Sequence, residues 1–161
     1  MTGGAHRFRM RWHRGRPTAA VEHVRSPIRR HVASVPVGPH AGREAVATHF
    51  AETGIASEAA FADAVLLVVS ELVTNVLRHA PQSPQADVGI TVAGDQLVVT
   101  VADTEPHLPD LTLEGMGAGL RMVAELAADY DGELSTEPAL EHDGKVVLVR
   151  FEIPSWAHTA G

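Results

Sequence analysis

The chain of 161 residues contains no cysteine. Disulfides, thiolate zinc sites and cysteine nucleophiles are therefore excluded, and a reducing, cytoplasmic setting is expected. No apolar run approaches the roughly 18 residues that span a bilayer, so no membrane association is expected. No apolar stretch follows the N-terminal arginines in the manner of a signal peptide. The ten histidines show no H-E-x-x-H pattern or ligand-spaced cluster, which argues against a zinc enzyme. G-x-x-x-x-G-K-[ST] and G-x-G-x-x-G are both missing, so neither a Walker loop nor a dinucleotide fingerprint is present. A G-x-S-x-G elbow is missing too. There are no internal repeats and no low-complexity run.

What is there begins with an uneven charge distribution. Residues 1–31 hold eight arginines against one acid, Glu22, a net of +7. Residues 32–161 hold five basic residues against 19 acids, a net of −14. An acidic body argues against a nucleic-acid-binding domain. With 45% apolar content, one domain with its own core is expected. Residues 1–29 read as a basic, disordered arm, 30–155 as the domain and 156–161 as a C-terminal tail.

Periodicity gives the elements. Arg30–Val35 reads as an edge strand and Ala41–Glu52 as a helix stopped by Gly54. Glu58–Ala80 reads as a long helix, with Ser57 as its N-cap and Pro81 as its end. Strands Asp87–Ala93 and Gln96–Asp103 flank Gly94-Asp95, a hairpin signal. A loop over Thr104–Ala118 follows, then a helix over Gly119–Ala128. Strands Tyr130–Thr136 and Lys145–Ile153 close the domain. The expected fold is α+β, a two-layer sandwich of helices on a mixed, mainly antiparallel sheet.

The long helix is apolar except for Ser70, Glu71, Thr74, Asn75, Arg78 and His79, which recur at helical spacing and form one polar stripe. Such a stripe is ordinarily a solvated edge. Its chemistry also suits a metal and proton-transfer site. Asn75 offers a neutral amide oxygen of the kind Mg²⁺ takes beside phosphates. Glu71, one turn earlier, can act as a general base. Asp103 ends an alternating strand, where its carboxylate can accept a hydrogen bond from an exocyclic amine or simply form a turn. Gly115-Met116-Gly117-Ala118-Gly119-Leu120 then opens a helix, and Gly117 and Gly119 let backbone N–H groups approach phosphate closely. Arg121 and Lys145 can hold phosphates or be plain surface charges. His79 suits a phosphate contact or a helix end.

The order of an acid-plus-amide helix, a strand-terminal Asp and a glycine-rich helix entry resembles the N, G1 and G2 boxes of the GHKL ATPases. The spelling S-E-L-V-T-N with His79 is most similar to the anti-sigma-factor serine/threonine kinases. The resemblance runs from about Val32 to Ile153. It implies ATP and Mg²⁺ as cofactors, Glu71 as base, Asn75 as metal ligand, and Asn75, His79, Asp103, Gly117, Gly119, Leu120, Arg121 and Lys145 around the nucleotide. It further implies phosphorylation of a Ser/Thr on an anti-sigma factor antagonist, sequestration of a sigma factor, and no direct nucleic-acid contact. The oligomeric state is open, a homodimer included. The chain departs from the family's D-x-G-x-G, reading Asp103-Thr104-Glu105-Pro106-His107. Val146 stands where a base-reading threonine is common. A non-catalytic nucleotide- or partner-binding module of the same fold is therefore the alternative.

Overall fold

A computed structural model describes residues 29–36, 41–56, 59–80, 85–140 and 143–159. The expected arm lies outside these apart from Arg29, as do Ser57 and Pro81.

Alternation of apolar and polar residues produces the sheet. Its strands are β1 (Arg29–Pro36), β2 (Gln85–Ala93), β3 (Gln96–Asp103), β4 (Glu133–Pro138) and β5 (Lys145–Glu152), in the spatial order β1-β2-β3-β5-β4. Every pairing among these strands is antiparallel. β2 and β3 are joined by Gly94 and Asp95, with Ala93 opposite Gln96. Gly94 has φ +60°, the positive value that the first central position of a II′ hairpin turn requires. Along β3, Leu97, Val99, Val101 and Asp103 are buried in turn, and along β5 so are Lys145, Val147, Val149 and Phe151. The pleat thus carries one charged residue of each strand onto the core face.

Three helices cover that face: α1 (Ala41–Thr53), α2 (Ala60–His79) and α3 (Ala118–Asp129). α2 is the spine. Phe61, Val65, Val68, Val69, Leu72, Val73 and Val76 are all buried. So many β-branched residues disfavour a helix in isolation, and burial against the sheet overrides that preference. By length and apolarity α2 could cross a membrane, which corrects the expectation that no such run exists. Half of its most apolar window is buried inside the domain, as in a core helix.

Two boundaries differ from expectation. Tyr130 closes α3 instead of opening a strand. Asp131 takes φ 53°, while Asp131 N–H donates to Ala128 O and Gly132 N–H to Ala127 O. These two bonds form a Schellman closure with Asp131 at its left-handed position. Tyr130 instead packs its ring edgewise on Phe61, with centroids 5.0 Å apart, and Phe61 meets Phe151 at 5.8 Å. At the C-terminus, residues 156–159 pack on the domain. A short 3₁₀ turn over Ser155–Ala157 buries Ala157. Ala56 N–H donates to Ala157 O, and Thr159 N–H to Gly54 O.

Candidate nucleotide site

The polar stripe of α2 is not uniformly solvated. Ser70, Glu71, Thr74 and Asn75 are half-buried, whereas Arg78 and His79 are exposed at the helix end. Thr74 satisfies its hydroxyl locally by donating to Ser70 O at 2.8 Å. Ser70 Oγ and Asn75 Nδ2 are buried with no hydrogen-bond partner among the described residues. A buried unpaired polar atom costs about 1–3 kcal/mol, so two on one helix face need a reason. A side-chain flip exchanges the amide atoms of Asn75, so the orphaned position can equally present the oxygen that Mg²⁺ takes. The donor set of this face fits the expected metal. No group of three or more His, Asp or Glu that could hold a metal occurs among the described residues.

Glu71 faces the start of α3. A Cβ built on Gly119 would lie 2.6 Å from Glu71 Oε2, so glycine at 119 is what leaves room for that carboxylate. The first N–H groups of a helix lack intrahelical partners, and the helix dipole is positive there. α3 begins at Ala118 with Gly117 as an extended N-cap and no side-chain cap. Its opening N–H groups therefore remain for an anion. A Cβ built on Gly117 would meet nothing within 4 Å. Leu120 is half-buried and packs on the core, anchoring the turn that presents those groups.

At the far end of β3, Asp103 is 4% exposed and Lys145 is 7% exposed. They face each other in register. Lys145 Nζ lies 2.9 Å from Asp103 Oδ2 and 3.1 Å from Oδ1, and 3.4 Å from Glu105 O. Glu105 N–H donates to Asp103 Oδ1 at 2.8 Å. Lys145 is accordingly not a surface charge; it is buried and paired with the strand-end aspartate. Sequence reasoning missed this pairing, although Lys145 continues the inward row of Val147, Val149 and Phe151.

The loop from Thr104 to Gly117 joins the two ends of the site. It folds on itself: Thr112 N–H donates to Asp110 Oδ1 at 2.8 Å, and Gly115 N–H donates to Thr112 Oγ1 at 3.0 Å. These donations from the Thr112 backbone and hydroxyl hold the Asp110 carboxyl below the usual carboxylate range. Arg121, a candidate phosphate contact or surface charge, donates from Nη2 to Leu113 O at 2.6 Å and fastens the loop to α3. His79 lies two turns beyond Glu71, about 12 Å along the helix, and is exposed. The structure thus brings Glu71 against Gly119 at one end, with Asn75 one turn along α2 from Glu71, and pairs Asp103 with Lys145 at the other.

Two solved structures from Erythrobacter litoralis EL346 are similar. One is the histidine kinase domain of a blue-light activated histidine kinase, 25% identical, covering 58% of this chain and 45% of that one with a TM-score of 0.45. The other is the blue-light activated histidine kinase, 27% identical, covering 56% of this chain and 31% of that one with a TM-score of 0.46. This chain spans less than half of either structure, and no curated protein matches it. The family model described as histidine kinase-, DNA gyrase B- and HSP90-like ATPase matches residues 61–156. That span includes α2, the loop, α3 and both strands of the Asp103–Lys145 pair, and the chain belongs to this ATPase family.

Proposed function

We propose that this ATPase domain is a cytoplasmic regulatory kinase. It phosphorylates a serine or threonine on a small antagonist protein and sequesters a sigma factor when the antagonist is phosphorylated. The observation that carries the kinase reading is the position of Glu71, whose carboxylate lies against Gly119 at the opening of α3. A helix start attracts phosphate, so a base at this point stands beside the terminal phosphate of a nucleotide lying along the site. Mg²⁺, when bound, offsets phosphate charge and orients the terminal group. Asn75 would supply its protein oxygen. Asp103 accepts a hydrogen bond from the exocyclic amine of adenine. Glu71 takes the proton of the attacking hydroxyl as its oxygen bonds to the terminal phosphorus, and ADP leaves. The S-E-L-V-T-N spelling from Ser70 to Asn75, with His79, supports the choice of a protein hydroxyl and of sigma-factor partners.

Incubation with labelled ATP and candidate antagonists tests this. Label is expected on a Ser or Thr of one antagonist. Glu71→Ala is expected to retain ATP binding while slowing transfer by roughly 10²–10⁴-fold, the scale for loss of a general base. An unchanged rate in that variant would make Glu71 structural.

A further inference from the structure

A strand at the edge of a sheet carries a row of unpaired N–H and C=O groups, ready to take another strand. β4 is such an edge, since among the described strands it pairs with β5 alone. Its two faces differ. Leu134 and Thr136 stand opposite Val149 and Val147 on the helix side. Glu133, Ser135 and Glu137 stand opposite Arg150, Leu148 and Val146 on the open side. Glu133 pairs with Arg150 at 3.3 Å, and Glu137 is exposed. A second β4 laid antiparallel on this edge would set acid against acid, which disfavours self-pairing. A strand with basic residues at alternate positions has the complementary pattern.

The chain carries that pattern itself. Arg7-Phe8-Arg9-Met10-Arg11-Trp12-His13 alternates basic with apolar residues, the period of a half-buried strand. β1, the other edge of the sheet, opens with Arg29, Arg30 and His31 and would repel it. β4 is within reach. Four strand spacings separate it from β1, about 19 Å, whereas residues 14–28 span up to roughly 50 Å when extended. Arg29, Val92, Leu97 and Phe151 form one line across the sheet, and Glu133 stands opposite Arg150, the residue before Phe151. The chain therefore enters β1 at the end of the sheet where β4 begins. His13, nearest the connection, belongs at the Glu133 end, which makes the added segment antiparallel to β4.

We propose that residues 7–13 add to β4 of the same chain as a sixth strand, with Arg7 facing Glu137, Arg9 facing Ser135 and Arg11 facing Glu133. Phe8 and Met10 then fall opposite Thr136 and Leu134 and extend the helix-side core, where Leu134 already packs. The added strand closes this edge to segments of other chains. The assignment is independent of the nucleotide site.

Cysteine cross-linking of the full chain tests it. The natural sequence has no cysteine, so a disulfide reports only the introduced pair. Arg9→Cys with Ser135→Cys is expected to form a disulfide within one chain in glutathione buffer. Phe8→Cys with Ser135→Cys, on opposite faces of the added strand, is expected to form little. Adding Arg7→Glu to the first pair should lower the cross-linked fraction by about two- to fivefold, and Glu137→Arg in the same chain should restore it. A disulfide between two chains would place the segment on a second copy and overturn the proposal. Equal cross-linking by the two pairs, or none by either, overturns it as well.

Discussion

Glu71 and Gly119 are separated by 48 positions in the chain, yet each has meaning only beside the other. Glycine at 119 contributes what it omits, since a methyl group there would press on Glu71 Oε2 at 2.6 Å. The carboxylate is the flexible end of a side chain and can move aside. Gly119→Ala should therefore leave the fold intact, with stability unchanged or up to about 1 kcal/mol higher from helix propensity. Phosphotransfer should nevertheless fall, by as much as about 100-fold if the base shifts by 1 Å. Thermal unfolding and phosphotransfer measured on one preparation separate these effects. Full activity in this variant would show that the position of Glu71 does not depend on Gly119. The candidate base, amide and glycine were legible in the sequence because they belong to local patterns. The pairing of Lys145 with Asp103 was not, because it depends on strand register across an intervening helix and strand. The bond from Arg121 to Leu113 O was not legible for a related reason: its acceptor is a backbone atom and leaves no mark in the residue pattern.

At the scale of elements, periodicity located all three helices and the paired strands to within a few residues. The exception was the start of the fourth strand. Tyr130 has high strand propensity, but the following Asp131-Gly132 forms the closure of α3 and sends the ring into the core. The loop before α3 has its own local order, centred on Asp110. Because hydrogen bonds from Thr112 lower the Asp110 pKa, their contribution is fully present above the ordinary carboxylate value and is lost as pH falls through the lowered one. In an acid titration followed by NMR, the Asp110 carboxyl and the Thr112 and Gly115 amides should share a midpoint below the usual aspartate value of about 3.9. Amides of β3 should still report a folded sheet at that pH. A midpoint at or above the ordinary value would mean that the turn does not persist in solution.

For the whole molecule, alternation and helical spacing were enough to reach an α+β sandwich, because each strand and helix has one apolar face that must be covered. The C-terminal packing was not legible. Ser155–Ala157 is too short to show a period, and its attachment to Gly54 and Ala56 runs through backbone hydrogen bonds. The proposed Mg-ATP site lies where the Glu71 carboxylate meets the opening of α3, with the orphaned amide of Asn75 one turn further along α2. Calorimetric titration of ATP into the full chain, with magnesium and with excess chelator, tests this most directly. Wild type should bind ATP more tightly with magnesium. Asn75→Ala should lose most of that difference while unfolding at an unchanged temperature. Equal ATP affinity with and without magnesium in the wild-type protein would contradict the assignment of Asn75 and of the α2 face as the metal–nucleotide site.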